Sequence, residues 1–173
     1  MISVREKLEQ IMGKENLVTL LKYKRWIDRE TLNTIAAISE SDCAEKRHLM
    51  LRLMNHIYVV DMIFRANMTG QQHGYTALNT PETPTVAELK VKMAEGTDWY
   101  IQYVNSLNPA HLEETVQFSF VDGGNGEMTV IDMLNHMLFH GTYHRGVIGW
   151  LISECGAVPP KDVLTVFLRD HNY

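Results

Sequence analysis

Apolar residues return at helical spacing along almost the whole chain, and the pattern breaks in two places. Between about Glu15 and Ile38, Leu17, Leu20, Leu21, Ile27, Ile35 and Ile38 recur near the helical period, which predicts a first long helix. The tetrapeptide SESD ends it. Asp42, with Glu45 three positions on, has the spacing of a capping pair that opens a second helix. That helix carries Leu49, Leu53, His56, Ile57, Val60 and Phe64 on one stripe, so the pattern aims the His56 imidazole into the core.

The first break runs from Met68 to Pro84 and contains TGQQHGYTALNTPETP, too polar and too rich in turn residues for an element. A connection of that length in a compact domain predicts a crossover or a lid. Thr85 and Glu88 then form a capping box for a third helix, in which Val86, Leu89, Met93, Tyr100, Val104 and Leu107 keep the period. The second break follows Asn108-Pro109, where VQFSFVDGGNGEMTV alternates around a glycine-rich turn and predicts a small hairpin or structured loop. Thr129 and Asp132 cap a fourth helix that continues to Cys155 and stops at Gly156, with Pro159-Pro160 beyond. The final DVLTVFLRDH reads as a short helix folding back. The expected class is all-α: four long helices in one domain over residues 1–173, a long crossover between helices two and three, and a small hairpin or loop before helix four.

Composition narrows the function. A chain of 173 residues with 45% hydrophobic and 21% charged residues has ordinary globular make-up. Its formal charge of −5 and pI near 5.9 come with no clustered basic face, so nucleic acid is not an expected partner. Cys43 and Cys155 match no disulfide or zinc-finger spacing. Cys155, at a helix end, could be a reactive thiol, but a buried inert cysteine is the commoner outcome. MISVREKLEQ lacks the apolar core of a secretory signal and no apolar run is long enough to span a bilayer, so the expectation is a cytoplasmic, reduced protein that does not enter a membrane.

The chemistry sits on the histidines. His136, His140 and His144 stand at four-residue steps on helix four, and His56 stands alone on the apolar stripe of helix two. Residues four apart share a helix face, so two such imidazoles can grip one metal ion, and a third from another helix would complete a set with open coordination positions. His136 and His144 lie roughly 12 Å apart along the axis and cannot share an ion. The ligand pair is therefore 136/140 or 140/144, and spacing does not choose. A lone His56 reads first as a core histidine. An aligned pair facing it reverses that reading, because each neutral imidazole would otherwise need its own buried partner. A di-iron carboxylate bundle needs Glu-x-x-His on two helices, and only Glu45 with His48 shows that spacing. His48, His73, His111 and His171 lie in polar or loop-like contexts and are expected at the surface.

HGTYHRG, with His56 in NHIYVVDMIF and the helix YKRWIDRETL, resembles the DinB/YfiT-like superfamily of metal-dependent proteins, over roughly residues 16–168. The resemblance implies an up-down-down-up four-helix bundle, often homodimeric, with His56, His140 and His144 as ligands and His136 as a neighbour. It also implies a divalent ion, for which three histidines suit zinc, nickel or iron. Relatives in that superfamily include thiol-dependent transferases and a mycothiol-dependent isomerase. The expected activity is therefore a metal-dependent hydrolase or thiol S-transferase acting on a small-molecule substrate with a low-molecular-weight thiol. The alternative is a non-catalytic metal-binding or stress-response interaction protein.

Other residues get plainer readings. Gly146 allows close helix packing, and Tyr23, Trp26 and Tyr143 are packing residues. Arg145 lies off the ligand face, either solvated or paired with an acid such as Asp61 or Asp28. Asp61, Asp28 or backbone carbonyls are expected to accept the outward N–H groups of the ligand imidazoles. Leu32, Met62, Ile63, Ile148 and Trp150 fall outside the main stripes, which predicts a homodimer through leftover apolar surface.

Overall fold

The computed structural model describes residues 4–171, with side chains for all of these except residues 4–12 and Asp42. The protein is mostly helical. Helix α1 spans Val4–Ala37 and so begins well before the expected Glu15. The added stretch is rich in Glu, Lys, Gln and Leu, and this propensity carries the helix through Gly13 at a cost of about 1 kcal/mol. Helix α2 spans Glu40–Met68 and is kinked at Cys43, whose φ of −139° and ψ of 31° are not helical. The expected capping pair of Asp42 and Glu45 lies outside the described residues.

Helix α3, Val86–Ser106, opens with the expected capping box. Thr85 Oγ1 accepts from the Glu88 amide at 3.2 Å and the Thr85 amide donates to Glu88 Oε2 at 2.8 Å. A 3-10 turn at Pro109–Glu113 leads into the antiparallel strands β1, Thr115–Ser119, and β2, Asn125–Thr129, so the predicted hairpin is present. Gly123, at φ 91°, supplies the left-handed turn residue between them. Helix α4, Val130–Glu154, is capped by Thr129 Oγ1, which accepts from the Asp132 amide. It stops before Gly156, whose φ of 74° suits the residue just past a helix end. The short α5, Leu164–Asp170, lays Phe167 against Tyr23 and Trp26 of α1.

The four long helices pack on one another, α1 against α3 and α2 against α4. Two apolar clusters result. One holds Leu21, Phe64, Tyr100, Met133 and Met137, with Val116, Phe118 and Met128 of the hairpin against it. The other holds Ile35, Met54, Leu89, Ile148 and Ile152. Among the described residues no helix is long and apolar enough to cross a membrane.

Two expectations are corrected here. Cys43 and Cys155 are joined as a disulfide, with Cα atoms 6.0 Å apart and 112 residues between them in sequence. Only the packing of α2 beside α4 brings them together, so spacing gave no sign of it. Of the residues expected to form leftover surface, Leu32, Ile63 and Ile148 are buried and Met62 packs against the first cluster, whereas Trp150 is exposed. The bundle interior is wider than a single stripe per helix.

Candidate metal centre

Helix α2 sets His56 beside the packed Ile57 and one turn from Val60, and helix α4 sets His140 and His144 on successive turns opposite it. The three side chains meet half-buried at the α2–α4 contact. His140 Nε2 lies 3.0 Å from His56 Nε2, and His144 Nε2 lies 3.1 Å from His140 Nε2. Taking one nitrogen from each ring, all three fall within 4.8 Å of one another. His136 is outside this group. It is exposed and stacks on Phe64, with ring centroids 4.8 Å apart, and on His140. Of the two pairs that spacing left open, the fold brings His140 and His144 together with His56.

The polar crossover orients His56. Leu78 O lies 2.7 Å from His56 Nδ1. A carbonyl only accepts, so that nitrogen carries the hydrogen and the lone pair is on Nε2, toward the other rings. The crossover is itself strapped to α2: Arg52 donates to Thr80 O at 2.6 Å, Asn79 donates to Arg52 O at 2.9 Å, and Asn55 donates to Thr80 Oγ1 at 2.7 Å. Of the alternatives crossover and lid, these bonds describe a fixed crossover. His73 is half-buried there and accepts from the Tyr75 amide, while His48, His111 and His171 are exposed.

Burial works against the charged forms of the histidines of α4. Burial, reinforced by His144 and His56, pushes His140 down to about 3. Burial, with His56 beside it, also lowers His144, and burial lowers His136. Ligand nitrogens at about 2.1 Å from a common ion stand about 3.0 Å apart in an octahedral set and about 3.4 Å in a tetrahedral one. The His140–His56 and His144–His140 separations fall at the octahedral end of that range, so this donor set fits a divalent ion.

Beneath the histidines runs a buried ionic chain. Lys24 (1% exposed) bonds Asp28 at 2.6 Å and Asp61 at 2.9 Å; Arg145 (4% exposed) bonds Asp28 at 2.9 Å and Asp162 at 2.8 Å. Tyr23 also donates to Asp162. Burial works against both cations, but Asp28 and Asp61 outweigh it at Lys24, and Asp28 and Asp162 at Arg145, so both are held above their ordinary values. Burial dominates at Asp61, which is pushed up to about 6 despite Lys24. Gly141 makes room for this chain, since a Cβ there would meet Arg145 Nη1 at 2.9 Å and Lys24 Cε at 3.6 Å. Close approach therefore belongs to Gly141, whereas a Cβ on Gly146 would meet nothing within 4 Å.

Arg145 thus pairs with Asp28 as one of its two readings expected, and is not solvated. Of the acceptors expected for the outward N–H groups, a backbone carbonyl is found on one ring and the two named acids are engaged elsewhere. His56 uses a backbone carbonyl, Asp28 and Asp61 serve Lys24 and Arg145, and buried His140 Nδ1 has no hydrogen-bond partner among the described residues. Lys24, Tyr23 and Asp162 were not read as part of this region. Lys24 and Asp28 carried a signal, the four-residue spacing of an ion pair on one helix face. Asp162 carried none, because a proline turn brings it back from beyond α4.

The DinB family model matches the chain over residues 12–171. No curated protein matches it. A family match over nearly the full chain, on a mostly helical fold that gathers His56, His140 and His144, places this protein in the DinB family.

Proposed function

We propose that His56, His140 and His144 bind a divalent metal ion, zinc, nickel or iron, in a metal-dependent enzyme of the thiol S-transferase or hydrolase type. The observation that carries this reading is the convergence of three imidazoles with Nε2 separations of 3.0 and 3.1 Å. When bound, such an ion supplies Lewis acidity, lowering the pKa of a water or thiol that reaches its open positions. The protein's own residues do the rest. Leu78 O fixes the His56 tautomer, and burial holds His140 and His144 uncharged at neutral pH. His136, exposed one turn from His140 and lowered by burial, is placed to take the proton that a thiol or water gives up. In S-transfer the sulfur then forms a C–S bond to an electrophilic substrate as the leaving group departs. The four long helices are read as an up-down-down-up bundle around this centre.

Two measurements on protein purified without an affinity tag test the proposal. Elemental analysis should find about one divalent ion per chain, and thiol consumption with an electrophile should stop on chelation and return with metal. Absence of a bound ion under metal-replete conditions would overturn the site. A stoichiometric ion with no turnover across thiols and electrophiles would favour the non-catalytic reading.

A further inference from the structure

Away from the histidines, the Cys43–Cys155 bond forms part of the wall of a cavity. It ties the start of α2 to the end of α4, roughly 16–20 Å along those helices from His144 and His56. The cavity has a volume of about 510 Å³, and Asn33, Thr34, Ala37 and Ser39 line it opposite the chain that follows Cys155. Among the described residues no charged side chain lines it. Both cysteines are half-buried, while Asn33, Ala37, Ser39 and Val158 around them are exposed, so the cavity opens to solvent.

A disulfide is an electrophile, and what a thiol does to it depends on access and on which sulfur leaves more readily. The two sulfurs differ in this. Cys43 has non-helical φ and ψ, so the straight run of α2 begins just after it and Cys43 stands at the positive end of that helix. Cys155 stands just past the last residue of α4, at its negative end. Nearby charges are matched: Asp42 adjoins Cys43, Glu154 adjoins Cys155, and Lys46, one turn past Cys43, pairs with Glu154 at 3.5 Å. A departing thiolate is therefore better held at Cys43 than at Cys155.

We propose that this cavity is an exchange site for a low-molecular-weight thiol, which attacks Cys155 Sγ and releases Cys43. The electron pair of the incoming thiolate forms the new S–S bond as the Sγ–Sγ bond breaks, and that bond's pair departs on Cys43. Return attack by Cys43 restores the original bond and frees the thiol. A second thiolate that removes the first as a disulfide leaves both cysteines reduced, the two thiols supplying the two electrons. The amide and hydroxyl groups of Asn33, Thr34 and Ser39, with no cation lining the cavity, suit a peptide-like thiol better than one bearing phosphates. Adduct formation also opens the tie between α2 and α4, leaving that end to the apolar packing of Ile38, Leu51 and Ile152. The exchange needs no metal, so its outcome is independent of the histidine site.

The full chain, oxidised with diamide, is incubated with reduced glutathione at neutral pH in chelator, quenched with iodoacetamide and mapped by peptide mass spectrometry. The trapped intermediate should carry glutathione on Cys155 and the alkyl group on Cys43. It should outnumber the reverse arrangement by about 3-fold or more, the combined effect of two helix ends. In urea the two arrangements should approach parity. Ala37→Trp, which fills the exposed edge of the cavity, should slow the reaction with glutathione several-fold more than that with 2-mercaptoethanol. An oxidised chain that lacks the Cys43–Cys155 bond would overturn the proposal, as would an adduct shared equally or favouring Cys43. So would the absence of an adduct at thiol levels that modify the urea-unfolded chain. An Ala37→Trp chain reacting with both thiols as wild type does would also overturn it, since the sulfurs would then be merely exposed.

Discussion

Replacing Arg145 with methionine probes the ionic chain beneath the histidines most directly. The guanidinium donates to Asp28 at 2.9 Å, to Asp162 at 2.8 and 3.4 Å, and to Thr142 Oγ1 at 3.2 Å. Methionine keeps most of the volume and removes every donor. The buried group then holds three carboxyls against Lys24 alone. Taking one partner from a buried ion pair costs about 3–5 kcal/mol, mainly because the remaining charge is stranded in a poor solvent. For a chain of this size that corresponds to a fall in Tm of roughly 6–20 °C. Urea unfolding of wild type and Arg145→Met at neutral pH, followed by circular dichroism, measures it. Arg145→Lys should recover little, since a single ammonium cannot fork between Asp28 and Asp162. Adding Asp28→Asn should cost less in the Arg145→Met background than in wild type, because Asp28 has there already lost one of its two cationic partners. A loss under about 1 kcal/mol would refute the reasoning, and would mean that these charges are solvated rather than buried.

Further outcomes follow from the same geometry. His140→Ala should abolish metal binding while circular dichroism stays helical, since it removes the central member of the histidine group but leaves both apolar clusters; full metal content in the variant would place the site elsewhere. Gly141→Ala should destabilise by about 1–3 kcal/mol, because its methyl would push against Arg145 and Lys24, and a neutral or stabilising effect would contradict that packing. Asp61 stands at about 6 in the fold against an ordinary 3.8, so it favours folding when protonated and that contribution is lost as pH rises through about 6. Wild type should therefore lose on the order of 2–3 kcal/mol relative to Asp61→Asn between about pH 4 and pH 7.5, and a flat difference would count against it. Reduction of the Cys43–Cys155 bond should cost about 4–5 kcal/mol, since it frees a loop of more than a hundred residues in the unfolded chain; equal urea midpoints with and without reductant would exclude that tether.

The helices were legible because each carries its own signal. The caps at Thr85 and Thr129 and the stop at Gly156 are local chemistry, satisfied within a few residues of where it is written. The start of α1 was not legible from periodicity, because a helix can run on propensity alone where no stripe has begun. Nor was the disulfide. Cys43 and Cys155 become neighbours only after α2 and α4 have packed, and nothing in either segment's own sequence encodes that meeting. The leftover apolar residues were misjudged for a related reason. Leu32, Ile63 and Ile148 fall outside a single stripe, yet a helix touching two neighbours buries two adjacent stripes, and only Trp150 lay beyond both.

At the site the same division separates what spacing can show from what packing adds. Histidines on successive turns were visible as a pair, and the apolar setting of His56 marked it as their partner. The charged layer below was visible only in fragments. Along α1, Lys24 and Asp28 fall between Leu21 and Leu32, and along α4, Arg145 falls between Met137 and Ile148, so the ionic chain separates the two apolar clusters at the level of the histidines. Such a layer stabilises less than apolar packing of equal volume, since two cations and three carboxyls must leave water. What it adds is a fixed arrangement. Lys24 joins α1 to α2 through Asp61, and Arg145 joins α4 to α1 through Asp28, so the helices bearing His56, His140 and His144 are tied to one common strut. A sliding error between α2 and α4 would break these bonds before it opened either apolar cluster. That makes the ionic layer the element that sets the register in which the three imidazoles meet.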